Sequence, residues 1–397
     1  MKELAERVSL LGVSPIRKVS ALLDQAKCRG EIISFGGGAP SLPPPMELLN
    51  ELCDLLTKDP ISSLRYTGTR GIPELRRAIC EDVTKYSGLE YDPEREIIVT
   101  DGGTEAIYLA LMTLLNPSDE VIILDPTYLG YAEAIKLAGG KPVTLSVKVE
   151  DGYQPSQENL ERLITPRTKA FLLLSPDNPT GRLISREFVK TLVEHAVEND
   201  FWILSDDIYK HILYEGEHVY VPRFPGARER TVMLCSFSKE ASVPGFRIGY
   251  ALGPAHVIDG MEKMKQYTSL ASYTPSMYTM VKFLATEMKE KYLRETVIPL
   301  YKKRMEFMGS CLKKYLPEAK TVKPAGAFYY FVDMRSYLSD TNTSDEEFCQ
   351  RLLREKNVVV IPGSYFGVSG KQHVRMTFVS ESKERTEAGL KAISEIL

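Results

Sequence analysis

The stretch TVMLCSFSKEASVPGFRIGY concentrates groups that could do chemistry: Ser236, Ser238, Lys239 and Arg247 lie in or beside a loop between two predicted strands. Loops at strand ends of an open α/β sheet are where ligands bind. A lysine amine buried beside a cation is pushed towards its neutral, nucleophilic form. An isolated S-x-S-K is otherwise a solvated lysine, with the arginine as a salt-bridge partner. In EIIVTDGGTEAIYLAL a strand runs through Gly102, Gly103 and Thr104 into a helix, leaving free N–H groups and a hydroxyl where phosphate can bind. Taken alone, that turn is more often a tight connection. Asn178 ends a strand at an Asn-Pro-Thr-Gly turn, Asp206 ends the strand in FWILSDDIYKHI, and Tyr209 follows it. Turn chemistry and helix capping are the plainer readings of Asn178 and Asp206. Asp207 reads as a solvated neighbour, Tyr128 in LDPTYLGY as ordinary core, and Arg375 in QHVRMTF as a strand surface residue.

The elements that must hold these groups follow from hydrophobic pattern. Between Glu96 and Leu252 about seven short apolar runs (EIIVT, EVIIL, KPVTL, AFLLL, FWILS, TVMLC and RIGYAL) alternate with helical or loop stretches. That alternation predicts a mainly parallel sheet covered on both faces. TEAIYLALMTLL and SREFVKTLVEHAVEN carry apolar residues three and four apart and read as helices. Beyond Leu252 come long helical stretches around Pro299, the strand AFYYFVDM, a helix at SDEEFCQRLLREK, the strands NVVVI and HVRMTF, and a closing helix. Ahead of the sheet, Ser14 and Pro15 open a capped helix predicted to end at Gly30, followed by EIISF and the turn GGGAPSLPPP. The expected plan is a large domain over 46–290 and a small domain built from 1–45 and 291–397.

The 397 residues are 43% hydrophobic, with 50 Lys and Arg against 53 Asp and Glu. This excludes a disordered or collagen-like chain, and the near-neutral charge gives no field to attract nucleic acid or an anionic membrane. Cys28, Cys53, Cys80, Cys235, Cys311 and Cys349 lack any metal-ligand spacing and read as reduced core residues. With no signal-peptide pattern or long apolar run, the expectation is a soluble, cytoplasmic protein that uses no metal.

From Ser236 to Gly249 every position fits the signature of class I/II pyridoxal-phosphate aminotransferases, and the chain resembles that family from Gly38 to Arg375. The resemblance implies the pyridoxal-phosphate-dependent transferase fold type I, an α/β architecture with a seven-stranded, mainly parallel sheet and a small α+β domain. It also implies pyridoxal 5'-phosphate as cofactor. Lys239 falls on the lysine that forms the Schiff base. Gly103, Thr104, Ser236, Ser238 and Arg247 match the phosphate contacts, and Tyr128 the ring stacked on the pyridine. Asp206 matches the carboxylate that keeps the pyridine nitrogen protonated, and Asn178 and Tyr209 the donors to the phenolic oxygen. Arg375 and the Gly38 backbone match the grip on the substrate α-carboxylate. Tyr66 matches a tyrosine that reaches the partner's phosphate, which implies a homodimer.

The implied reaction is ping-pong transfer of an amino group from an L-amino acid to a 2-oxo acid, 2-oxoglutarate first, with Lys239 moving the proton from Cα. Side-chain preference stays open between aspartate and an aromatic or broad range. Some aspartate aminotransferases that resemble this chain carry a lysine directly after the two glycines, where Thr104 stands here, and QYTSLASYTPSMY lacks the arginine of another aspartate-specific subgroup. Arg70, on the loop of Tyr66, is the candidate replacement cation. A fold-type I lyase and a non-catalytic pyridoxal-phosphate regulator are the alternatives. A nicotinamide dehydrogenase is disfavoured because no G-x-G-x-x-G follows a strand.

Overall fold

In the computed structural model, which describes residues 4–9, 11, 12, 17, 31–340 and 343–397, the seven apolar runs are the seven strands of one sheet. A short strand β1 (Ile33–Ser34) precedes them. They are β2 (Ile97–Thr100), β3 (Glu120–Asp125), β4 (Lys141–Ser146), β5 (Thr168–Leu174), β6 (Trp202–Asp206), β7 (Thr231–Ser236) and β8 (Gly249–Leu252). Their order is β2-β8-β7-β6-β5-β3-β4. The pairs of β3 with β4 and β5, β5 with β6, and β6 with β7 are parallel. β8 runs against both of its neighbours. Every residue of β2, β3, β7 and β8 is buried, because helices cover both faces, and this is why those strands read as unbroken apolar runs. The edge strand β4 mixes exposed and covered positions instead.

The helices Gly103–Leu114 and Arg186–Glu198 form where the periodicity predicts them, the second capped by the Ser185 side chain. Pro299 directly follows a π-helical turn, Leu293–Val297, that joins the helix Met288–Tyr292 to the helix Ile298–Tyr315, and the widened turn accommodates the missing N–H. The helix Asp345–Lys356 starts with a capping box of Ser344 and Glu347.

A second sheet holds β9 (Lys320–Thr321), β10 (Tyr329–Asp333), β12 (Ile361–Pro362) and β13 (His373–Thr377), all antiparallel, in the order β12-β13-β10-β9. The run NVVVI is not one strand. It breaks at Val360, so that β11 (Val358–Val359) pairs in parallel with β1, while β12 turns to pair with β13. The turn expected over GGGAPS therefore begins from a strand tied to the C-terminal part of the chain.

The helix expected between Ser14 and Gly30, and Cys28, lie outside the described residues, apart from Arg17. Cys80, Cys235, Cys311 and Cys349 are buried free thiols. Cys53 is exposed, a correction explained by its helix, Met46–Lys58, which buries only Leu48 and lies on the surface. No helix among the described residues is long and apolar enough to cross a membrane.

Candidate active site

The C-terminal ends of β5, β6 and β7 open into a cavity of about 420 Å3, closed from the other side by the segment after β1 and by β10, β12 and β13. Its lining includes Gly38, Gly103, Thr104, Tyr128, Asn178, Asp206, Tyr209, Ser236, Ser238, Lys239, Arg247 and Arg375. Residues far apart in sequence, each singled out for its type and motif, thus share one space.

At one end, β2 passes through Gly102 into the helix Gly103–Leu114, whose first residues, Gly103 and Thr104, line the cavity at a helix start that has no side-chain cap. Gly102 has φ +80°, and a Cβ there would lie 2.7 Å from a terminal nitrogen of Arg247, so only glycine lets the guanidinium approach. Arg247, itself left-handed at φ 51°, donates to the carbonyls of Asp101 (3.2 Å) and Pro244 (3.1 Å) from the exposed rim. Ser236 caps the short helix Phe237–Glu240 by accepting the Ser238 N–H at 3.2 Å, and its Oγ stands 2.9 Å from Ser238 Oγ. Helix N-terminus, paired hydroxyls and guanidinium together form a donor set for an oxyanion.

Lys239 leaves the same short helix and donates from Nζ to the Gly38 carbonyl at 2.6 Å. Burial, then the charges of Arg375 and Arg247, push its pKa down to about 8, with Asp206 acting the other way. Asp206, at the end of β6, is pushed up to about 7 by burial, although the Tyr131 hydroxyl (2.7 Å) and the Ile208 N–H (3.2 Å) donate to it. Asp207 is not solvated as expected. It is buried, bonded by Ser205 Oγ at 2.7 Å and facing His218 at 3.2 Å.

Arg375 lies beneath the far wall. It donates to Asn178 Oδ1 (3.1 Å) and the Gly36 carbonyl (2.7 Å), while its buried Nε has no hydrogen-bond partner. Its guanidinium stacks over the rings of Tyr329, at 4.4 Å, and Phe366, at 5.0 Å. Burial lowers its pKa, but the group stays a cation. Tyr128 stands edge-on to Tyr131, and the Tyr209 and Tyr329 hydroxyls are 2.9 Å apart.

Two expected residues are absent from this cavity. Tyr66 projects into solvent, 86% exposed. Arg70 is not a free cation: it donates to Glu262 at 2.7 Å, to Asp259, and to the carbonyls of Glu94 and Arg95. Its expected role at a substrate carboxylate is therefore withdrawn, because its donors are already used within its own chain. Conversely, Tyr131, Tyr329 and Ile361 line the cavity, and Phe366 backs Arg375, without having been singled out. Only Tyr131 had a signal, three residues after Tyr128. No cluster of three or more His, Cys, Asp or Glu among the described residues could hold a metal.

The family described as aminotransferase class I and II matches residues 31–393. The aromatic-amino-acid aminotransferase 2 of Thermococcus litoralis is 34% identical over 394 residues, covering 97% of this chain and 96% of that protein. The aspartate/prephenate aminotransferase of Thermus thermophilus is 33% identical, with 100% and 99% covered. The solved structure of the Thermus thermophilus aspartate aminotransferase with maleate superposes with a TM-score of 0.92 at 32% identity, covering both chains in full (100%).

Proposed function

As a member of the class I and II aminotransferases, a pyridoxal-phosphate-dependent family, this chain, we propose, moves the amino group of an L-amino acid with an aromatic or apolar side chain to a 2-oxo acid, 2-oxoglutarate among them. The observation that carries the substrate class is the use of charge. Among the described residues lining the cavity the cations are Lys239, Arg247 and Arg375, and the walls facing them include Ile107, Leu174, Tyr128, Tyr131, Tyr329 and Ile361. Once those cations serve the reacting amine, the phosphate and the α-carboxylate, the side-chain end offers apolar surface and hydroxyls. The distal carboxylate of 2-oxoglutarate would meet hydroxyls only, so this acceptor should need a higher concentration than an aromatic 2-oxo acid.

The donor set supports pyridoxal phosphate. Gly103, Thr104, Ser236, Ser238 and Arg247 would hold the phosphate, Tyr128 the ring face, Asp206 the ring nitrogen, and Asn178 with Tyr209 the phenolic oxygen. When bound, the cofactor supplies an aldehyde for amines and a protonated ring that accepts electrons. The buried carboxylate of Asp206, held near neutrality by its surroundings, gains a cationic partner there. Arg375, with the Gly38 backbone, would fix the substrate carboxylate, which converts a bimolecular encounter into a positioned one. Lys239 Nζ, with a pKa of about 8, is suited to take the proton from substrate Cα and to return one. The kinetics would be ping-pong.

A homodimer belongs to this reading. Tyr66 is exposed together with Ile61, Leu64, Tyr267 and Tyr273, and Thr274 Oγ1 ties the two segments by donating to the Arg65 carbonyl at 2.9 Å. A second copy would cover this patch and receive Tyr66 at its phosphate end.

The test is a half-reaction screen. Purified protein with pyridoxal phosphate should turn yellow, and phenylalanine, tyrosine and leucine should bleach that band faster than aspartate. A chain that keeps full activity as Lys239→Ala, or that reacts best with aspartate, sinks the proposal.

A further inference from the structure

Tyr329 touches three separate working parts of the cavity: Tyr209, Gly38 and Arg375. It stands on β10 opposite Thr377, so Arg375 is its diagonal neighbour on the same face of the sheet. This register puts the guanidinium 4.4 Å over its ring. Its hydroxyl is 2.9 Å from the Tyr209 hydroxyl and 3.4 Å from the Gly38 carbonyl, the oxygen that accepts Lys239 Nζ. A Cβ on residue 38 would lie 2.9 Å from the Tyr329 hydroxyl, so glycine there is what admits it. The ring is 1% exposed and locked edge-on by Phe328 and Tyr209.

We propose that Tyr329 is a positioning residue that couples the carboxylate grip to the donor at the cofactor's phenolic oxygen. The ring sets the plane of Arg375. Either hydroxyl of the Tyr209–Tyr329 pair can be the donor; with the Tyr209 proton turned to the phenolic oxygen, the Tyr329 hydroxyl would donate to Tyr209 and strengthen it as a donor, since hydrogen bonds in series polarise one another. A stronger donor favours the anionic form of the phenolic oxygen and so makes protonation of the chromophore harder. This rests on the reading above that pyridoxal phosphate binds with that oxygen at Tyr209.

The two functions separate in two variants. Tyr329→Phe keeps the ring and removes the hydroxyl. The pH midpoint of the bound cofactor's colour change should rise by about 0.5 unit, the scale set by one net hydrogen bond. The amino-acid KM should change less than in Tyr329→Leu. Tyr329→Leu removes the ring, and KM should rise about tenfold, as expected when a desolvated cation loses its aromatic bed. The colour change needs no turnover, and circular dichroism of each variant checks the fold. A midpoint that stays put or falls in Tyr329→Phe overturns the proposal, as does an unchanged KM in Tyr329→Leu. A wild-type chain that binds no pyridoxal phosphate removes the underlying reading too, and is recognised before any variant is made.

Discussion

Tyr131 donates its hydroxyl to Asp206 Oδ2 at 2.7 Å, and both side chains are buried. The bond accounts for half of what a buried carboxylate needs. One oxygen is held by Tyr131 and the other by the Ile208 N–H, but no cation among the described residues lies in bonding contact with either. Asp206 is thus a carboxylate whose charge is expensive until a cationic ligand arrives.

This has a pH signature in the cofactor-free protein. Asp206 has its folded pKa raised from 3.8 to about 7. The native state therefore binds more protons between those values, and the stability it contributes at low pH is lost as pH rises towards 7. Asp206→Asn does not titrate. Its melting temperature should match wild type near pH 4 and exceed it by about 2–4 °C above pH 7, while its affinity for pyridoxal phosphate falls. Equal melting temperatures across that range would contradict the raised pKa.

Lys239 should react as a weaker base than a surface lysine. Burial, Arg375 and Arg247 hold its pKa at about 8. The rate of capture of pyridoxal phosphate by the cofactor-free protein, followed by stopped-flow absorbance, should rise with pH and level off above about 8 instead of climbing to about 10.4. Arg375→Gln, which deletes the larger of the two cationic contributions, should move that profile to higher pH.

Arg375→Lys keeps the charge and loses the fork. Arginine satisfies Asn178 and Gly36 with two terminal nitrogens and still presents donors to a carboxylate. A lysine cannot reproduce this. The amino-acid KM should rise about 10- to 100-fold, the equivalent of one charged hydrogen bond, with a smaller change in kcat. Steady-state kinetics with phenylalanine measures it.

Arg70→Ala should act on stability and leave substrate choice alone. Its partners Asp259 and Glu262 are 53% and 27% exposed, so solvent screening limits the pair to about 1 kcal/mol. The ratio of kcat/KM for phenylalanine over aspartate should stay within about twofold of wild type. A selective change in aspartate turnover would restore the substrate role withdrawn above.

What could be read from the residues was local or periodic. The seven runs announced the sheet because burial on both faces leaves no polar alternation to confuse them. Lys239, Asp206 and Gly103 sit at strand or helix ends, where short motifs fix geometry over a few residues. Tyr329 was invisible because its function depends on the register of β10 against β13, which nothing in AFYYFVDM specifies. Arg70 misled for the same reason: its partners lie on the helix Ala255–Gln266, far away in sequence. The break at Val360 was hidden by composition, since Val358, Val359, Val360 and Ile361 are all equally suited to a strand.

The pairing of β1 with β11 has a consequence for biosynthesis. Arg375 and the Gly36 carbonyl that it binds are separated by 339 positions, and Lys239 meets Gly38 across 201. A growing chain on the ribosome can complete the seven-stranded sheet before the wall that carries Arg375 has been made. Closure of so long a loop is slow compared with forming the sheet's neighbouring strands. The order of synthesis therefore puts Gly103, Thr104, Ser236, Ser238 and Arg247 in place before Arg375, so the residue proposed to recognise the substrate is made last.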